Sequence, residues 1–289
     1  MSEAAPYRRI GIVGSGRVAR ALGCALGAVS RQPLLLWSRN PAHARDGAAA
    51  IGRCEVAGDI AQLSGQCDAV LIAVSDDAVA EIASRLADGQ ATSTRRFAFH
   101  VSGRSGTGVL APFRQADWRV AAIHPAMTFT GDLQADVRDV KGAHFAVTAP
   151  DARTQEEAGA LVTRLGGHPF PVSEEDRILY HAALCHVANH LVTLVQQASR
   201  MLDFAGVDVP HEKFAPLARA ALENSLEKGF AALSGPLLRG DAGTVAQHVD
   251  ALHAKAPDLE AAYRAMARAT LEEMGRSGLA TDPRLRRIV

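Results

Sequence analysis

Apolar and polar positions fall into two regimes along the chain. In the first, short apolar runs alternate with segments whose apolar residues recur at helical spacing, which is the βαβ pattern of a parallel sheet covered by helices. The pattern predicts strands over residues 9–13, 34–37, 69–74, 96–101, 120–123 and 144–148, with an edge strand near 168–172. Helices are predicted between them, over 17–29, 76–87 and 151–165. After Ser173 the character changes: residues 174–205 contain neither Gly nor Pro and read as one long helix. Further helices are predicted over 211–233, 241–254 and 257–275, punctuated by Gly206 with Pro210, by Gly235-Pro236 and by Pro257. The expected architecture is a doubly wound, mainly parallel α/β domain over residues 1–173 and an all-helical domain over 174–289.

The first strand runs straight into Gly14-Ser15-Gly16-Arg17-Val18-Ala19. Gly14-x-Gly16-x-x-Ala19, following a strand and opening an amphipathic helix, is the dinucleotide fingerprint of a Rossmann domain. Gly14 is expected to make the tight turn and Gly16 to admit the pyrophosphate, while Ala19 permits close helix–strand packing. The second strand ends Trp37-Ser38-Arg39-Asn40 with no acid at its tip, where an NAD site usually carries one. Ser38 and Arg39 suit a 2′-phosphate, which favours NADP(H). The plainer reading makes Ser38, Arg39 and Asn40 a solvated turn before Pro41, and Arg17 faces either the phosphates or solvent. Val74 and Ser75 complete the expected cofactor-binding set.

Composition removes several classes of function. The 31 basic and 31 acidic residues balance, so no basic field for nucleic acid or an anionic membrane is expected. Cys24, Cys54, Cys67 and Cys185 form no CxxC pair, which suits a reducing compartment and neither a disulfide scaffold nor a metal site. Residues 1–9 lack the apolar core of a signal peptide, and no uninterrupted apolar run reaches the ~18 residues of a spanning helix. A cytoplasmic protein off the membrane is expected.

Ligands of open parallel sheets lie beyond the carboxyl ends of the strands. Three of those ends carry chemistry. Ser75 and Asp76 are candidate helix caps. His100 and Ser102 share a strand face, with Ser102 at the tip beside Gly103. His124-Pro125 closes the next strand, where His124 is either a site residue or a satisfied core histidine. On the long helix, His181, Cys185 and Asn189 form one stripe at i, i+4 and i+8, and His186 with His190 form a second. The helix is apolar around most of its circumference, so it is expected to be buried between domains or subunits.

The fingerprint, His100-Val-Ser102-Gly103, His124-Pro125 with Thr128-Phe129, Tyr180-His181-Ala-Ala, Asn189 and Gly235-Pro236-Leu-Leu-Arg239-Gly240-Asp241 with Val245 and His248 occur in a telling order. Together they resemble a family of Rossmann-like oxidoreductases with a helical C-terminal domain of unknown function. That family is similar to the wider 3-hydroxyacid dehydrogenase and 6-phosphogluconate dehydrogenase-like superfamily. The resemblance implies NADP(H)-dependent reduction of a small carbonyl substrate, with a homodimer formed through the helical domain. The resemblance also brings in ketopantoate reduction, while pyrroline-type imine reduction on the same scaffold and a non-catalytic NADP(H)-binding sensor are the other readings. The 3-hydroxyacid branch uses a Lys on the first long helix, whereas this helix offers His181 and Asn189. His181 is therefore the expected proton donor, Asn189, Ser102 and His124 the other catalytic candidates, and Arg239 the candidate clamp for a substrate carboxylate. A salt bridge from Arg239 to Asp241 is the competing reading of that loop.

Overall fold

The computed structural model describes residues 6–87 and 96–289, so residues 1–5 of the leading segment lie outside it. The chain divides into two compact units, 1–186 and 187–289.

In the first unit the elements follow in the order β1 (Ile10–Val13), α1 (Arg17–Leu26), β2 (Leu34–Trp37), α2 (Pro41–Ile51), β3 (Cys54–Val56), α3 (Ala61–Gln66), β4 (Ala69–Ile72) and α4 (Val79–Ala87). Then come β5 (Phe97–His100), α5 (Ala111–Gln115), β6 (Arg119–Pro125), α6 (Leu133–Val140), β7 (His144–Thr148), α7 (Ala152–Arg164) and β8 (His168–Pro171). They form one sheet in the order β3-β2-β1-β4-β5-β6-β7-β8. All neighbours run parallel except β6 and β7, which pair antiparallel with Ala122 opposite Thr148. The chain reverses direction across the sheet between β1 and β4, which is the switch point where such sheets bind ligands.

Period-two alternation explains the two-sided core. Ile10, Ile12, Leu34, Leu36, Leu71 and Phe99 enter one buried cluster, and Val13, Leu35, Val70, Ile72 and Ala98 enter the other. Every predicted strand is present, although the one expected over 69–74 stops at Ile72. Strand β3 escaped prediction because three residues, Cys-Glu-Val, are too short for their alternation to stand out as a strand. Helix α2 also escaped, although its start is locally encoded: Asn40 accepts from Ala42 N and His43 N, and Pro41 occupies the first turn. Pro169 and Pro171 sit in β8, where an edge position tolerates their missing donors.

Helix α8 (Arg177–Phe204) runs 28 residues, about 42 Å at 1.5 Å per residue, and passes from the first unit into the second. The second unit adds α9 (Pro210–Lys228), α10 (Ala242–Lys255), α11 (Pro257–Arg276) and α12 (Leu285–Ile288). Val245, Leu271, Met274 and Leu285 make its small core. Asp241 caps α10 by accepting from Thr244 N at 3.0 Å. Among the described residues Arg239 makes no ion pair with it.

Among the described residues, several large apolar side chains of α8 and α9 stand exposed. Leu179 is 72% exposed and Val192 70%, and on α9 Leu217 and Leu226 are each 73% exposed. By length and composition alone α8 is long and apolar enough to cross a membrane. The requirement for an uninterrupted apolar run had passed it over, because His181, His186, Asn189 and His190 break that run.

Candidate dinucleotide and catalytic site

The sequence turns sharply after β1 because Gly14 adopts a φ of +115°, a left-handed conformation that favours glycine. A Cβ there would stand 2.1 Å from the Ala73 carbonyl oxygen. Gly16 caps α1 with no side-chain hydrogen bond, so the first N–H groups of the helix have no capping partner, and the space beside it is open. This is an anion cradle: free donors and the positive end of the helix dipole face one place. Ala19 is fully buried against the sheet.

A cavity of about 810 Å³ extends from this turn. Gly14, Ser15, Gly16, Arg17, Val18, Ser38, Arg39, Val74 and Ser75 all line it, so every residue expected to bind the cofactor faces one cavity. Ser15 Oγ and Ser38 Oγ hydrogen-bond at 3.1 Å, tying the glycine turn to the tip of β2. Arg39 is exposed and, among the described residues, has no ion-pair partner. Arg17 also lines the cavity and donates to the Phe129 carbonyl at 3.3 Å. Ser75 makes no capping bond, and Asp76 pairs with Arg104 at 3.3 Å, so the capping role expected of the two is not seen.

The far end of the cavity is lined by Val101, Ser102 and Phe129. Ser102 is buried, and its Oγ accepts from Ser105 N at 3.2 Å. His100, on the strand below, is fully occupied: Nε2 meets the Gly106 carbonyl at 2.9 Å, and Nδ1 accepts from Ser102 N. It shapes the turn. His124 Nδ1 lies 2.8 Å from the Tyr180 hydroxyl, and its ring stands edge-on to that of His181 with centroids 6.2 Å apart. The two imidazoles meet at Gly103, where a Cβ would fall 2.5 Å from His181 and 2.9 Å from His124. His181 Nε2 also lies 3.6 Å from Cys185 Sγ. Ser102, His124 and His181 are thus brought together. Asn189 and Arg239 belong to the second unit.

Two residues of this cluster had no place in the expected site. Arg177 is fully buried at the head of α8, donating from Nη1 to Thr148 Oγ1 at 2.9 Å and from Nη2 to the Ser102 carbonyl at 2.7 Å, while its Nε has no partner. Tyr180 lies beside it, the guanidinium carbon 6.0 Å from the ring centre. A charged residue opening an otherwise apolar helix is the signal that could have flagged Arg177. Nearby, Glu174 accepts from Thr107 N, Thr107 Oγ1 and Gly108 N, bonds that hold its carboxyl below the usual range although burial opposes them. Nothing local in the sequence links positions so far apart.

Burial, reinforced by the Arg177 charge, lowers His124 to about 4. Burial likewise lowers His100 to about 4. Both are therefore neutral in the fold and take up protons near 6.5 once unfolded. Their contribution to stability is therefore complete above pH 6.5 and is lost as the pH falls toward 4. At pH 5 the loss is on the order of 2 kcal/mol per histidine. Urea midpoints at pH 7.5 and 5 should differ accordingly, with a smaller difference in His100→Gln. Equal midpoints would contradict buried neutral imidazoles.

The strand order, the glycine cradle and the helical second unit define a two-domain protein with a Rossmann-type nucleotide domain. A Rossmann-like domain model matches residues 3–125, and the model of a domain of unknown function, DUF2520, matches residues 143–270. The two matches lie side by side along the chain, one on each side of residues 126–142. No curated protein matches it in sequence. Among solved structures, an assigned NADP oxidoreductase from Bacteroides fragilis is similar with a TM-score of 0.73 at 21% identity, over 92% of this chain and 98% of that one. An imine reductase from Streptomyces aurantiacus is similar with a TM-score of 0.68 at 14% identity, over 96% and 98%. A reductive aminase from Aspergillus terreus, in complex with NADPH and ethyl-5-oxohexanoate, is similar with a TM-score of 0.67 at 13% identity, over 96% and 97%. Likeness at this identity establishes the fold.

Proposed function

We propose that the protein is an NADP(H)-dependent oxidoreductase that reduces a small carbonyl substrate bearing a carboxylate. One observation carries this reading: a single cavity runs from the helix-capped glycine turn, past Ser38 and Arg39, to Ser102 at the carboxyl end of β5. The residues present fit the cofactor, since the cradle offers phosphate donors and Arg39 is a free cation where a 2′-phosphate would sit. NADPH, when bound, supplies the hydride. His181 donates the proton to the substrate heteroatom, and Ser102 and neutral His124 orient it, with Tyr180 holding the His124 ring. The reading is tested by calorimetry with NADPH and NADH on the wild type and on Arg39→Ala. NADPH binding should weaken by tenfold or more in the variant, with NADH little changed. Equal affinity of the wild type for both nucleotides would refute the 2′-phosphate role of Arg39.

A second reading is imine reduction on the same scaffold. It is favoured by the likeness to the imine reductase and the reductive aminase along nearly the whole chain. Ketopantoate and pyrroline carboxylates both fall within the carboxylate-bearing class.

The working form we propose is a cytoplasmic homodimer built through the helical domain. Four free cysteines suit a reducing compartment. Helices α8 and α9 expose large apolar side chains, among them Leu179, Val192, Leu217 and Leu226, and a second copy of the same faces would cover them. Light scattering should give twice the mass of one chain, and Leu179→Glu with Val192→Glu should halve it. A monomeric wild type would defeat this proposal.

A further inference from the structure

A second cavity of about 450 Å³ lies wholly within the helical unit, between α8, α10 and α11. Its volume falls in the roughly 300–1,000 Å³ range usual for small-molecule sites. Met201, Phe204, Leu252 and Ala256 give it an apolar wall. Its polar side chains are few: His248, Lys255 and Tyr263. His248 Nδ1 and the Tyr263 hydroxyl hydrogen-bond at 2.8 Å, with their rings edge-on. Whichever of the two donates, the pair keeps one free donor: His248 Nε2–H if the phenol donates, the phenol O–H if the ring does. Lys255 is the third polar contributor, and it is exposed, without an ion-pair partner among the described residues.

No acid lines the cavity. The acids in the first turn of the next helix are already engaged: Asp258 with Arg200 at 2.6 Å, and Glu260 with Arg264 at 2.8 Å and His253 at 3.0 Å. Lys255 stands in the last turn of α10, where a cation suits the helix dipole. That accounts for its charge and leaves unexplained an apolar chamber beside it with an unspent donor. An ammonium and one neutral donor at the edge of an apolar chamber are complementary to a single anionic head on an apolar body.

We infer that this cavity is a binding site for a small amphiphilic monoanion of the medium-chain carboxylate class. The carboxylate sits at Lys255 and the His248–Tyr263 pair, and the hydrocarbon lies along Met201, Phe204 and Leu252. The site shares no lining residue with the glycine cradle and does not depend on hydride transfer.

The test is titration of octanoate into the full-length protein, followed by ligand-observed NMR and calorimetry, with octanol as the uncharged control. Octanoate should bind once per chain and octanol at least tenfold more weakly. Lys255→Gln, a surface change that leaves the fold intact, should weaken octanoate about tenfold, and His248→Ala should weaken it further. Ala251→Trp, which fills the cavity, should abolish it. NADPH binding should be unchanged in all three, which separates this site from the first. Three results would overturn the inference: no octanoate binding because a second copy covers the cavity, equal binding of octanol, or full octanoate affinity in Lys255→Gln.

Discussion

Replacing Gly14 by alanine should abolish dinucleotide binding and destabilise the first unit by on the order of 3 kcal/mol. The added Cβ meets two obstacles at once. The backbone at this position holds a φ of +115°, and the carbonyl oxygen of Ala73 lies 2.1 Å from where the Cβ would go. That carbonyl belongs to the exit of β4, so the strain must move either the glycine turn or the strand end that forms the other wall of the cavity. Gly16→Ala is the matched control. It meets nothing within 4 Å, so its stability should follow the wild type while its nucleotide affinity falls, because the methyl occupies the approach of the phosphates. Thermal melts and calorimetry on the pair separate fold from ligand. Wild-type nucleotide affinity in Gly14→Ala would show that the turn is not the cradle.

His181→Ala should lower turnover about a hundredfold or more while leaving NADPH affinity within a few-fold of the wild type. His181 is half-buried, stands edge-on to His124, and reaches the end of β5 only because Gly103 has no side chain. His124 serves less well as a donor, because burial and the Arg177 charge keep it neutral down to about pH 4. A neutral ring with Nδ1 bonded to Tyr180 can orient a substrate by hydrogen bonding, but it is a poor general acid, because giving up its one N–H would leave an imidazolate. Tyr180→Phe should therefore cost less than His181→Ala, roughly tenfold, by freeing the His124 ring. Unchanged turnover in His181→Ala would remove it from the mechanism and leave Tyr180 and His124 as the remaining candidates.

The cavity at the glycine turn, the candidate dinucleotide site, was legible in the sequence because its residues are local. Gly14, Gly16 and Ala19 follow one strand within a few residues, and Ser38 and Arg39 sit at the tip of the next, so spacing alone places them. The sheet was legible for the same reason: its central strands are apolar runs with breakers between them. What was lost depended on distance along the chain. Arg177 satisfies the Ser102 carbonyl across 75 positions, and Glu174 ties down Thr107 across 67. No periodicity signals such contacts. His100 illustrates the opposite limit: its place on a strand tip reads as chemistry, while both its nitrogens are spent on the turn. The exposure of α8 was invisible for a further reason, since an apolar helix reads the same whether its cover comes from its own chain or from a second copy.

The most direct test of the account is consumption of NADPH, followed by the loss of reduced-nicotinamide absorbance, against a panel of 2-keto acids and cyclic imine carboxylates. Oxidation of NADPH in step with formation of the reduced product from at least one of them, slower with NADH and lost in His181→Ala, is the expected result. Tight NADPH binding with no consumption against the whole panel would contradict it and leave the cavity as the site of a nucleotide sensor.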